Sequence, residues 1–307
     1  MISTCLLPVC LKACNIMAPL IHRIYIGEYA SSIKSDMSVV TLADTIVQSL
    51  LRQLLTPVTA AFIGEESSEE YEALAEEVAA VKLALQALEL PDLSALKLTA
   101  FIDPIDGTAE FSSGKGHEST ICIGFAQETP VAGLIFCPLV GTYAMGCRSE
   151  SFFSTNVEHG ELDCTTILTS NGRISPFIEG LGLTRLAAGG CGNKILMVLE
   201  GRGVYILDRG VSRWDTCAAQ AILEAEGGIL CKLTGFMEGR TETYSYAVTD
   251  VNRDPNPAAI LGPMNSQDAI LKPYSNLCGM VALPRAAMPL IQKLREVCLR
   301  SSIPVYS

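Results

Sequence analysis

From Leu98 an apolar run reaches Ile102 and stops at Asp103; Pro104 and Ile105 lead to a second acid, Asp106, and Gly107-Thr108 follow at once. Such a run reads as a strand. Proline fixes its own φ and has no N–H to give a ladder, so Pro104 favours ending the strand there. Gly107 tolerates backbone angles closed to other residues, and Thr108 is a residue type that starts helices. The product is a strand end with two carboxylates beside the free N–H groups of a helix start. That combination can hold divalent cations and an anion together. A solvated turn of Asp, Pro and Gly is the plain alternative, and the other acids of the chain decide between them.

At 307 residues the chain can bury a full core, in about two domain-sized halves. Hydrophobic residues make up 49% and charged residues 18%, the balance of a globular chain and not of a disordered one. The net charge is −11, without a Lys/Arg cluster. That argues against a nucleic acid polymer or an anionic membrane as the main partner. An acidic protein that handles an anion needs local positive charge, and bound metal ions are one source.

The twelve cysteines include no C-x-x-C and no Cys/His cluster at zinc spacing. Cys122 and Cys137 sit inside apolar runs and read as buried thiols of a reduced, cytoplasmic protein. The start, M-I-S-T-C-L-L-P-V-C-L-K-A-C, lacks a basic opening and is interrupted by Lys12. It reads as an amphipathic helix and not as a signal peptide. No apolar run reaches about 18 residues, so no membrane span is expected.

In chain order, residues 4–28 read as a helix, and a second helix follows through Ile46, Leu50, Leu51 and Leu54. Asp44 lies near its start, where the helix dipole favours an acid. Ala60–Ile63 is a short strand that stops at Gly64-Glu65-Glu66-Ser67. The acidic run 65–77 reads mostly as a solvated helix face, because Leu74, Val78, Val81, Leu85 and Leu88 recur at helical spacing. Glu65 differs in directly following the strand. Segments 119–125, 131–138, 142–147 and 151–153 read as an antiparallel meander. A looser stretch near residue 158 divides an α+β half, 1–158, from an α/β half, 159–307, in which strands and helices alternate. Residues 234–276 read as a long surface loop.

Glu65, the Asp103/Asp106 pair, Asp215 and Asp44 thus stand at comparable places, three of them strand-to-helix junctions. Converging strand ends are how layered α/β proteins build sites. Carboxylates and a backbone carbonyl suit a hard cation such as Mg²⁺, and no His or Cys nearby argues for Zn²⁺. The glycine-rich turn Gly189–Asn193 precedes a helix. Its N–H groups can hold phosphate or sugar oxygens, and close helix packing explains the glycines equally well.

G-E-E-S at 64–67, D-P-I-D-G-T at 103–108 and W-D-T-C-A-A-Q-A-I-L-E-A-E-G-G at 214–228 resemble the three signatures of the lithium-sensitive, Mg²⁺-dependent phosphomonoesterases. That superfamily includes inositol monophosphatase, fructose-1,6-bisphosphatase, inositol polyphosphate 1-phosphatase and 3′(2′),5′-bisphosphate nucleotidase. The resemblance covers essentially the whole chain and implies a layered α-β-α-β-α sandwich, the sugar phosphatase fold. It implies two or three Mg²⁺ ions and a small phosphorylated substrate. By position, Glu65 matches the acid that binds the first metal and helps activate water. Asp103, the Ile105 carbonyl and Asp106 match the shared metal ligands, and Asp215 the holder of the second metal. Thr108 and Asp44 match the pair that orients or deprotonates the attacking water. The N–H groups of Gly107 and Thr108 match the phosphate cradle.

W-D-T-C-A-A after Arg213 resembles the bisphosphate nucleotidase and inositol polyphosphate 1-phosphatase branch. G-G-C-G-N-K-I-L at 189–196 looks like the nucleotidases, whereas T-L-A-D-T-I-V-Q at 41–48 looks like the inositol polyphosphate enzymes. The resemblance therefore implies removal of the 3′-phosphate of adenosine 3′,5′-bisphosphate. The alternative is the 1-phosphate of inositol 1,4-bisphosphate, and one enzyme can serve both. Gly190, Lys194 and Arg213 are the candidate contacts to the rest of the substrate; for the two cations, an ordinary surface role is the competing reading.

Overall fold

The computed structural model describes residues 2–28, 39–66, 74–247 and 275–301. A turn of π-helix, Ile2–Leu6, leads into α1 (Leu7–Tyr25), whose Leu7, Cys10, Cys14, Met17, Ile21 and Ile24 recur every three or four residues and are buried. The stretch Ile2–Tyr25 is long and apolar enough to cross a membrane, which corrects the expectation that no run reaches that length. Here its apolar stripe packs into the protein core. α2 (Val39–Leu55) lies beside α1, and both cover one face of the first sheet.

That sheet has six strands in sequence order: β1 (Ala61–Gly64), β2 (Thr99–Asp106), β3 (Thr120–Ala126), β4 (Pro130–Phe136), β5 (Tyr143–Cys147) and β6 (Phe152–Thr155). β1 and β2 are parallel, joined through α3 (Ala75–Gln86); from β2 onward the strands form the expected antiparallel meander. α4 (Thr108–Ser112) follows β2 directly. After β7 (Thr166–Thr169), the chain continues through α5 (Pro176–Gly180), β8 (Thr184–Ala187), α6 (Cys191–Leu199), β9 (Val204–Leu207), β10 (Val211–Ser212), α7 (Arg213–Glu226), β11 (Ile229–Lys232), α8 (Leu233–Met237), β12 (Ser275–Asn276), β13 (Met280–Leu283) and α9 (Ile291–Ser301). The second sheet has the order β11-β13-β9-β7-β8, parallel across β9-β7-β8 and antiparallel elsewhere.

α6 and α7 lie between the two sheets, and α5, α8 and α9 cover the outer face of the second. The layers are therefore α-β-α-β-α. Gly124, Gly133 and Gly146 are cross-strand neighbours on β3, β4 and β5. A Cβ on Gly133 would lie 2.6 Å from Ala218 Cα, one on Gly124 2.6 Å from Cys217 Cβ, and one on Gly146 2.9 Å from Ile222 Cα. α7 thus rests on bare main chain, which is why its contact face is built from small residues.

The reading of 234–276 as a surface loop needs correction over its described part. Leu233–Met237 is helical, and Tyr244 and Tyr246 are buried against Phe101, Cys217 and Cys278. Residues 248–274 lie outside the described residues.

Candidate metal centre

Pro104 does not end β2. The strand continues to Asp106, with a register shift: Asp103 pairs with Cys122 and Asp106 with Thr120. Three steps on β2 match two on β3, so one extra residue is bulged out, and a proline is tolerated there because no ladder N–H is lost. In a regular strand, residues three apart face opposite sides. The bulge turns Asp103 and Asp106 to one side, since their partners Cys122 and Thr120 are two apart. Gly107 then adopts φ 88°, a left-handed angle suited to glycine, and α4 begins at Thr108.

Asp215 enters from α7. It stands in the first turn, where its Oδ2 accepts the Ser212 N–H at 3.0 Å, a favourable place for an acid. Carboxylate oxygens of Asp103, Asp106 and Asp215 all lie within 4.8 Å of one another. Glu65 follows β1 at the partly exposed rim of the cluster, close enough to be repelled by Asp215 and to repel Asp103. Asp44 was expected at a helix start. It lies instead in the second turn of α2, 3% exposed, and is not a capping residue.

The crowding shows in the acidities. Burial raises Asp103 well above the ordinary carboxylate range, and Glu65, Asp106 and Asp215 add repulsion. Asp215 is pushed up to about 6, by desolvation first and Asp106 second. Glu65 rises to about 7, through lost hydration and then Asp215. Asp44 rises to about 8, through burial and then Glu66 and Glu65. Within the described residues, Asp103 Oδ1 and Asp44 Oδ1 are buried and have no hydrogen-bond partner. Clustered acids with spare buried oxygens and an all-oxygen donor set fit hard cations.

Asp106 is different. Its Oδ1 accepts the Cys191 N–H at 2.8 Å, and its Oδ2 accepts the Gly192 N–H at 2.6 Å and the Thr120 hydroxyl at 2.9 Å. The anion at the N-terminus of α6 is thus an acid of the protein itself. Gly189 N–H is also taken, by Glu118, whose carboxylate shares Asn171 with Glu110. Three amides of the glycine-rich turn are therefore committed internally. Gly190, at φ 60°, packs its main chain against Asp106 and Glu118.

The two candidate cations are not exposed. Lys194 is 2% exposed, and its Nζ donates to the carbonyls of Ala188 and Gly190. Arg213 is equally enclosed and donates to the Ala247 carbonyl at 3.3 Å. Thr108 Oγ1 donates to the Ile105 carbonyl at 3.2 Å, so its hydroxyl is turned toward a candidate metal ligand.

Sequence reasoning missed Gln48, Thr120 and the amides of Cys191 and Gly192. Gln48 carries a signal, since it lies four residues after Asp44 and shares its helix face. Thr120 carries none until its register against Asp106 is known.

Residues 4–257 match the family model described as the inositol monophosphatase family. Among curated relatives, the chain is 32% identical over 156 residues to 3′(2′),5′-bisphosphate nucleotidase 1 of Mus musculus, covering 45% of this chain and 51% of that one. It is 28% identical over 159 residues to inositol monophosphatase 3 of Danio rerio, covering 47% and 46%. The chain spans about half the length of the curated relatives it matches. Among solved structures, an inositol monophosphatase from Zymomonas mobilis superposes with a TM-score of 0.60 at 18% identity, over 95% of this chain and 97% of that one. Inositol monophosphatase II from Staphylococcus aureus gives 0.61 at 15%, over 96% and 93%. At these identities the likeness establishes the layered fold.

Proposed function

This chain belongs to the inositol monophosphatase family, and we propose that it is a Mg²⁺-dependent phosphomonoesterase that removes the 3′-phosphate from adenosine 3′,5′-bisphosphate. The observation that carries this reading is the trio Asp103, Asp106 and Asp215, with oxygens within 4.8 Å of one another, together with the unpartnered Asp103 Oδ1. These acids, with Glu65 and the Ile105 carbonyl, would hold two or three Mg²⁺ ions, which when bound neutralise charge on phosphate oxygens and acidify water. The N–H groups of Gly107 and Thr108 meet the phosphate.

Thr108 and Asp44 handle the proton. Thr108 Oγ1, which donates to the Ile105 carbonyl, would orient the attacking water. Asp44, whose Oδ1 is buried and unpartnered, would accept the proton once bound cations favour its ionised form. Lys194 shapes the turn that faces the leaving group by holding the Ala188 and Gly190 carbonyls. Arg213 holds the segment at Ala247.

A nucleotide substrate is supported by the mouse relative's name and by G-G-C-G-N-K at 189–194. Inositol 1,4-bisphosphate is the second reading, supported by relatives named as inositol monophosphatases. Twelve free cysteines support a cytoplasmic setting. Phosphate release from both bisphosphates, measured side by side with and without Mg²⁺ and with added Li⁺, tests the proposal. Mg²⁺-dependent, Li⁺-inhibited release from the nucleotide is expected; release only from the inositol bisphosphate would assign the second substrate, and release from neither would sink the phosphatase reading.

A further inference from the structure

We propose that Gln48 is a positioning residue that fixes the Glu65–Glu66 segment against the acid cluster; this rests on the reading of Glu65 as a metal ligand. Gln48 is 2% exposed on the inner face of α2. Its Oε1 accepts the Glu66 N–H at 3.0 Å, and its Nε2 donates to the Glu66 carbonyl. One side-chain amide thus supplies the pair of bonds that a neighbouring strand residue would give.

The other side of the segment is tied to β2, because Glu65 N–H donates to the Ile102 carbonyl at 3.3 Å. Glu65 is therefore gripped between the strand that carries Asp103 and the helix that carries Asp44. Gly64 is part of the same device. A Cβ there would lie 2.0 Å from Gln48 Oε1, so only glycine admits the amide at this depth. Asp44 and Gln48 are one helical turn apart. A single face of α2 thus supplies both the buried acid and the clamp.

Groups that orient metal ligands typically matter 10- to 100-fold in affinity. The test is calorimetric titration of Mg²⁺ into the metal-free protein, with circular dichroism and thermal unfolding as folding controls. Gln48→Met, which keeps the length and removes both bonds, is expected to weaken Mg²⁺ binding about 10- to 100-fold. Gln48→Leu, which likewise removes both bonds without adding charge, supplies the same comparison if the first variant does not fold. The double variant Gln48→Met/Glu65→Gln is expected to bind no more weakly than Glu65→Gln alone, because the clamp acts through Glu65. Additive losses, or parental Mg²⁺ affinity in a folded Gln48 variant, overturn the inference. Asp103→Asn separates the two layers of argument. Unchanged Mg²⁺ binding there overturns the metal centre itself, whereas lost binding there with an unaffected Gln48→Met overturns only the role of the clamp.

Discussion

Asp106 accepts the backbone N–H of Gly192 at 2.6 Å across 86 residues of chain. This bond joins the bulged end of β2 to the first turn of α6, so the acid cluster and the glycine-rich turn are one piece of structure. Asp106 is held from the second half of the chain before any cation arrives.

Asp103→Asn removes one charge from the centre of the cluster. A metal ion's share of transition-state stabilisation is several kcal/mol, so phosphate release should fall about a thousandfold or more. Denaturation of the metal-free variant should show a protein at least as stable as the parent, because a buried, repelled carboxylate has been made neutral.

Gly192→Ala should disturb the same centre from outside. The new Cβ would meet Thr120 Oγ1 at 2.4 Å and Cys122 Sγ at 2.8 Å. Relief requires α6 to move away from Asp106. The expected cost is about 1–3 kcal/mol in chemical denaturation, with weaker Mg²⁺ binding in the same preparation.

The metal-free protein should lose stability as the pH rises. Asp215, Glu65 and Asp44 have folded values of about 6, 7 and 8, all above the unfolded values of about 4. The folded state therefore binds more protons across this window. Its advantage is whole below about pH 4 and is lost as the pH climbs through the folded values. Thermal midpoints in EDTA should fall between those limits, and saturating Mg²⁺ should flatten the decline by binding only the folded form. A midpoint in EDTA that rises from pH 5 to 8 would contradict the crowding of these acids.

Thr216→Val tests the support beneath Asp215. Thr216 Oγ1 accepts from Tyr246 Oη and from Asn276 Nδ2, each at 2.9 Å, all three residues being buried. The substitution keeps the shape and strands two buried donors, at about 1–3 kcal/mol each. Adding Tyr246→Phe should recover part of the loss, which urea titrations of the single and double variants will read.

The strands were legible as local signals, the order of layers followed from the motif resemblance, and of the acids singled out Asp103, Asp106 and Asp215 lie together. An apolar run ending at an acid needs no knowledge of its neighbours. Pairings were not legible. Pro104 read as a strand end because nothing local announces a bulge, whose register depends on β3. Lys194 and Arg213 read as candidate substrate contacts because charge is visible in sequence, whereas the carbonyls of Ala188 and Gly190 that take Lys194 and that of Ala247 which takes Arg213 are not. Tyr244 and Tyr246 read as loop residues because their burial rests on Phe101 and Cys217, more than a hundred and about thirty positions away respectively.

The row Gly124, Gly133 and Gly146 beneath α7 has a mechanical meaning. A helix seated on side chains can shift as those side chains change rotamer; one seated on main chain has nothing compressible below it. Asp215 is thus mounted on the fixed jaw of a vice. The other jaw is the Gly64–Glu66 segment, tied to α2 by the Gln48 amide and to β2 by the Glu65–Ile102 bond.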